Sequence, residues 1–244
     1  MIAEAIDKII SLAEPHMIFG ATGEMTYSDK KLHEVKTAAV ADALIVRNLD
    51  GFCEYIRKFA QNDTTSISDY FVLVESYKKV SFISRLNRDR YRETLIMAVP
   101  DVPEFPFGRF IENEKMIILL QSAFVEDLQT DLNVVRKFVG TVTAGTVKEY
   151  SDDGVTQQAT VKQGARGKID DIVPSPCTLR PYRTFVEIDQ PTSRFIFRME
   201  QGREQTVNAA IIEADGGAWK LKAIQNIIDY LEYALAETGV KIIG

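Results

Sequence analysis

Histidine and cysteine are scarce in this chain, with two of each in 244 residues, and there is a single tryptophan. His16 and His33 both fall in the N-terminal segment, and no Cys or His recurs beside them at ligand spacing, so a zinc centre lacks its usual material. Cys53 and Cys177 lie far apart and are expected as reduced thiols in the core, with a disulfide as the alternative. No apolar run approaches the roughly 20 residues of a membrane-spanning helix. The opening residues MIAEAIDKII carry two acids where a secretory leader carries basic groups, so the protein is expected in the cytoplasm, away from membranes. Positive charge is in deficit too: 29 Lys and Arg against 35 Asp and Glu give a net charge of −6, which argues against nonspecific binding to duplex DNA. Catalytic signatures are also missing. GARGK at 164–168 lacks the four-residue gap and the Ser/Thr of a P-loop, and there is no Gly-x-Ser-x-Gly elbow. The expectation is a protein without metal or cofactor and, more than not, without catalysis.

What the chain does have is core material, 45% hydrophobic residues, enough for one large domain or two small ones. Helical periodicity is clearest at the ends. Ile2, Ala5, Ile6, Ile9, Ile10 and Ala13 share one face before Pro15, and Trp219, Ala223, Ile224, Ile227, Ile228, Leu231 and Leu235 share another between Asp215-Gly216-Gly217 and Gly239. A third helix is predicted over 50–61, capped by Asp50 and burying Phe52, Cys53, Ile56 and Phe59. Between these, alternation and β-branched runs predict strands at 17–20, 24–27, 43–47, 70–76, 78–85, 91–99, 139–149, 155–163, 179–189, 193–199 and 207–213. Residues 109–138 read as either a buried strand or two short helices, with helices favoured. Loops rich in Pro and Gly at 101–108 and 164–176 are possible subdomain boundaries within a single 1–244 domain. Strands grouped in the middle and helices at the ends predict an α+β fold with a largely antiparallel sheet and amphipathic helices at both termini.

Candidate sites are mostly basic. In 174–198, PSPCTLRPYRTFVEIDQPTSRFIFR, Arg180, Arg183, Arg194 and Arg198 stand close to Tyr182, Phe185, Phe195 and Phe197, as a groove for a planar or anionic partner requires. Alternation sends Phe195 and Phe197 to one face and Arg194, Ile196 and Arg198 to the other. It also separates Arg183, Phe185 and Glu187 from Arg180, Tyr182 and Thr184. Two arrangements fit. Either Phe195, Phe197 and Val186 are core and the arginines pair with Glu187, Asp189 or Glu200, or Arg180, Tyr182, Arg194 and Arg198 line one pocket. Trp219 is expected in the core. A second basic run, 77–92, holds Lys78, Lys79, Arg85, Arg88, Arg90 and Arg92 against Asp89. It is either a solvated hairpin with its turn at Asn87-Arg88-Asp89 or a phosphate-binding surface on which Tyr77, Phe82 or Tyr91 stacks a base. Among acids, Asp152-Asp153-Gly154 and Asp215-Gly216-Gly217 suit turns better than cation sites, and Asp170-Asp171 lies in the 164–176 region. Glu213 and Asp215 can still flank a site.

The hairpin GATGEMTYSDKKLHEV, the block DDGVTQQATVKQG, the block PYRTFVEIDQPTSRFIFR and the closing EADGGAWKLKAIQNIIDYL together resemble an uncharacterised family of phage and prophage proteins of Gram-positive bacteria, and more distantly the YfdQ-like prophage proteins. The resemblance implies a phage accessory setting and no catalytic residues. Three functions follow as expectations. The first is a non-enzymatic homo-oligomer binding a small anionic, nucleotide-like ligand, as a sponge against a host defence signal. The second is a module for single-stranded nucleic acid or a replication or recombination protein. The third is a metal-dependent nuclease using Asp152, Asp153, Glu213 or Asp215. The ligand-binding candidates are Arg180, Tyr182, Arg183, Arg194, Arg198, Arg85, Arg88 and Arg90.

Overall fold

The computed structural model describes residues 2–13, 17–19, 26–28, 42–60, 66–86, 90–141, 147–152, 157–162, 168–173, 175–201 and 206–244. The chain divides into two units, Met1–Ala41 and Asp42–Gly244. The first contains helix α1 (Ile2–Ala13) and an antiparallel pair, β1 (Met17–Phe19) and β2 (Thr26–Ser28), in register Met17↔Ser28. His16, His33 and residues 21–23 lie outside the described residues.

The second unit is α+β. A five-stranded sheet runs in the order β14-β4-β5-β6-β3, from Lys241–Ile243, Tyr70–Ser76, Lys79–Ser84, Thr94–Ala98 and Leu44–Val46. Its inner pairs are antiparallel and its two outer pairs parallel. Central β5 is buried from Val80 through Ile83, as a strand covered on both faces must be. Helix α2 (Leu49–Phe59) and the long C-terminal helix α5 (Ala218–Ala234) pack on this sheet. Along α5, Trp219, Ala223, Ile227 and Leu231 recur every four residues and are the buried positions.

A four-stranded antiparallel sheet, β11-β12-β13-β7, is built from Cys177–Leu179, Ser193–Gln201, Val207–Glu213 and Ile111–Glu112. Helices α3 (Asn113–Ser122) and α4 (Leu132–Thr141) cover it, so the helical alternative holds for most of 109–138. The five-stranded and four-stranded sheets each have their own hydrophobic core. One gathers Met116, Leu120, Phe138, Phe195 and Phe197; the other gathers Phe52, Ile56, Phe82, Phe185 and Leu231. Burying each such side chain stabilises the fold by about 1.5–3 kcal/mol. A third sheet, β10-β9-β8, pairs Lys168–Val173, Gln157–Lys162 and Val147–Asp152. β8 and β9 run antiparallel to the pair Asp152↔Gln157, while Asp153 and Gly154 lie outside the described residues.

Four local expectations are corrected, one being the loop expected at 164–176, of which Lys168–Val173 is strand β10. Residues 139–141 end α4 instead of opening a strand. Helix α2 starts at Leu49, capped by Asn48, whose side chain accepts from Gly51 N, while Asp50 instead accepts from the Tyr230 hydroxyl. Phe59 is 60% exposed, leaving the buried stripe of α2 to Leu49, Phe52, Cys53 and Ile56. The largest change falls on 179–189. Only Cys177–Leu179 is strand, and 182–192 forms a compact loop joining the two cores. Gln190 explains why. Its buried side chain accepts from Arg183 N (3.0 Å) and Thr184 N (3.3 Å) and donates to Phe185 O (2.7 Å) and Ile188 O (3.3 Å), taking hydrogen bonds a neighbouring strand would otherwise supply.

Candidate functional site

The 182–192 loop turns its side chains in several directions, because without a ladder the strict alternation of a strand no longer applies. Phe185 enters the core, Val186 is 67% exposed, and Glu187 reaches the start of α2, where its Oε1 accepts from Leu49 N (2.5 Å) and Asp50 N (3.4 Å). Thr184 Oγ1 donates to Tyr77 O (2.5 Å), tying the loop to the β4–β5 turn. Arg183 is carried inward. Only 6% exposed, it stacks on Trp219 with its guanidinium carbon 3.7 Å from the ring centroid, donates to Glu213 Oε1 (2.7 Å), and also donates to Ser193 Oγ. Burial pulls its basicity below the ordinary value, while Glu213 and Asp215 act in the opposite direction. A guanidinium there stays charged.

Arg183 and Trp219 form part of the wall of a cleft of about 840 Å³. Tyr77 and Lys78 enter from the β4–β5 turn, Tyr182 from the loop, Lys115 and Leu119 from α3, and Trp219 and Lys220 from the start of α5. Residues 100–107 and Arg109 form the rim. Three prolines stiffen this rim and its aromatics hold it to the core: Phe107 stacks on Phe195 at 5.4 Å, and Phe105 meets Phe124 edge-on at 5.0 Å. Gly108, at φ +75°, allows the turn that brings its N–H to Ile211 O (2.8 Å). The cleft is therefore preformed.

Its electrostatics oppose those of the chain. Five cationic side chains, Lys78, Arg109, Lys115, Arg183 and Lys220, line it against three acids, Asp101, Glu104 and Glu213, in a protein of net charge −6. Glu213 is spent on Arg183, and among the described residues the other four cations have no carboxylate partner. Lys78 Nζ and Lys220 Nζ each lie 5.8 Å from the centre of the Tyr77 ring, which meets Trp219 edge-on at 4.6 Å. These are cation–π distances. Among the described residues, the buried donors Arg183 Nε and Trp219 Nε1 have no acceptor.

The sequence candidates do not converge on one pocket. Tyr182 and Arg183 line the cleft. Arg180 is instead a structural bracket, donating to Gln190 O (2.7 Å), Asp127 Oδ2 (3.0 Å) and Asp189 Oδ1 (3.3 Å). Arg194 faces a separate hollow of about 270 Å³ with Asp215 and Lys222. Arg198 lines neither space and donates to Ser175 Oγ (3.2 Å) and Phe197 O (2.9 Å). Arg180, Tyr182, Arg194 and Arg198 are thus not the walls of a common site, although Phe195 and Phe197 share one face, as alternation requires, and that face is core. The second basic run is split between the two ends of β5. Lys78 goes to the cleft and Lys79 pairs with Glu75 (2.8 Å), while Arg85 and Arg90 are exposed in the β5–β6 connection, roughly 17 Å of strand away. Arg88 lies outside the described residues.

Sequence reasoning missed Arg109, Lys115 and Lys220 as site residues. A signal was present in the two lysines. Each sits in the first turn of a helix, where the macrodipole disfavours a cation by about 0.3–1 kcal/mol. Among the described residues, no three His, Cys, Asp or Glu side chains are grouped as a metal site needs, and no helix is long and apolar enough to cross a membrane. The chain matches no protein-family model, and neither a curated protein nor a solved structure matches it significantly.

Proposed function

We propose that this protein binds a small anionic ligand with a planar ring, of nucleotide type, in the cleft between its two cores, and holds it without converting it. The observation that carries this reading is the Tyr77 ring with Lys78 and Lys220 beside it, both without a carboxylate partner among the described residues. Such an arrangement offers a face for stacking and two ammonium groups for phosphate oxygens. Trp219 provides the test, because the only tryptophan of the chain lines the cleft. Nucleotides titrated against its fluorescence should bind at micromolar concentration, and ligand released by denaturation should be chemically intact. No response at millimolar nucleotide overturns the reading, and recovery of a converted product overturns the claim of simple holding.

A role as an oligomeric accessory protein in the cytoplasm of a phage-infected cell, sequestering a host defence nucleotide, belongs to the same proposal and draws on the sequence resemblance. Single-stranded nucleic acid is the second reading, favoured by the exposed Arg85, Arg90 and Arg92 in the β5–β6 connection. A salt-sensitive gel shift abolished by Arg85→Ala with Arg90→Ala would support it, and no shift at low salt would remove it.

A further inference from the structure

The four unpaired cations of the cleft fall into two pairs, each standing on a different core. Lys78 and Lys220 belong to the β4–β5 turn and α5, on the side of Phe82 and Leu231, and both lie against Tyr77. Arg109 and Lys115 belong to the rim and α3, on the side of Met116 and Phe195, and neither contacts an aromatic ring among the described residues. Each pair also lies beside a helix start. Lys115 is in the first turn of α3 and Lys220 in that of α5, and neither helix has a side-chain cap. Lys220 has no acid beside it in the first turn of α5, whereas Glu114 shares that of α3 with Lys115; an anion between either lysine and its helix start is favoured. Arg183 and Trp219, both at least nine-tenths buried, line the same cleft.

We infer that the cleft has two anion subsites, and that its ligand carries two separated anionic groups. A dinucleotide or a nucleoside bearing phosphates at both ends has this chemistry; a nucleoside monophosphate has half of it. The inference rests on the proposed nucleotide-type reading and deepens it. The volume of about 840 Å³ lies toward the upper end of the range of ligand pockets and suits the larger class. The acids Asp101 and Glu104 stand on the rim and leave a net excess of two positive charges over the whole lining.

The test compares adenosine 5′-monophosphate, adenosine 3′,5′-bisphosphate and a cyclic diadenylate by Trp219 fluorescence and calorimetry. At least one of the two bis-anionic probes should bind about tenfold or more tighter than the monophosphate, the worth of one added charge-assisted contact. Arg109→Ala with Lys115→Ala should erase that advantage by weakening the bis-anionic probes at least about tenfold more than the monophosphate, and Lys78→Ala with Lys220→Ala should weaken all three probes. Equal binding of all three probes, or a bis-anionic advantage that survives Arg109→Ala with Lys115→Ala, overturns the two-subsite inference while leaving the nucleotide reading intact. Binding of none of them overturns both.

Discussion

Gln190 offers the most quantitative handle on this molecule, because one buried amide closes the loop that delivers Arg183 and Tyr182 to the cleft. Leucine at this position nearly preserves volume, so Gln190→Leu removes hydrogen bonds while leaving little cavity. Four backbone groups lose their partner: Arg183 N and Phe185 O, bonded at 3.0 and 2.7 Å, and Thr184 N and Ile188 O, both at 3.3 Å. Each well-bonded buried group left unpaired costs roughly 1–3 kcal/mol, and the two longer contacts add less, so the expected loss is roughly 3–5 kcal/mol. This is a large share of the roughly 5–15 kcal/mol that a domain has in total. Urea unfolding followed by Trp219 fluorescence reads it as a lowered midpoint at unchanged m. Nucleotide affinity should fall in parallel, since Arg183 is held by the same loop. A loss below about 1 kcal/mol would refute the reasoning and assign the loop geometry to other contacts, the Arg180 bracket first among them.

Other predictions follow from single contacts. Glu187→Ala should destabilise the protein by about 1–2 kcal/mol through the start of α2, a distant carboxylate acting as its cap, and should speed amide exchange at Leu49. Lys78→Ala with Lys220→Ala should weaken nucleotide binding about tenfold or more and change the unfolding free energy by less than about 0.5 kcal/mol. Burial pushes the Cys53 thiol up to about 11 and the Cys177 thiol up to about 12, from 9.0. Both should therefore resist a thiol-disulfide reagent at pH 8 until denaturant is added. Raised thiols also set the sign of an alkaline effect. Their contribution is complete below pH 9, where both states hold the proton, and is lost as pH climbs toward 11 and beyond, because the unfolded chain ionises first. The unfolding midpoint should fall over that window, and Cys53→Ala with Cys177→Ala should reduce the slope.

Much of the architecture was legible from local pattern. The four-residue recurrence of Trp219, Ala223, Ile227 and Leu231 predicted α5, and the alternation at 193–199 put Phe195 and Phe197 on one face, which the structure buries. Reading failed where a distant group supplied what a neighbour usually does. Residues 179–189 have strand-forming composition, but the amide of Gln190 takes hydrogen bonds that a partner strand would have made. Asp50 suits a helix cap, but Asn48 fills that role and Glu187 reinforces it from 138 residues away.

The cleft shows the same division. Side-chain chemistry alone determined that the Arg/aromatic segments were available to bind an anion, because charge, ring faces and hydrogen-bond inventory are properties of residues. Which of them meet was decided only by tertiary structure. Tyr77, Lys115, Arg183 and Lys220 come from stretches far apart in the chain and become neighbours because two cores, each closed by its own sheet and helices, pack with a gap between them. Arg180 and Arg198 have the same chemistry as Arg183, but their donors are occupied away from the cleft. Local sequence can specify a donor; only packing determines which acceptor it reaches.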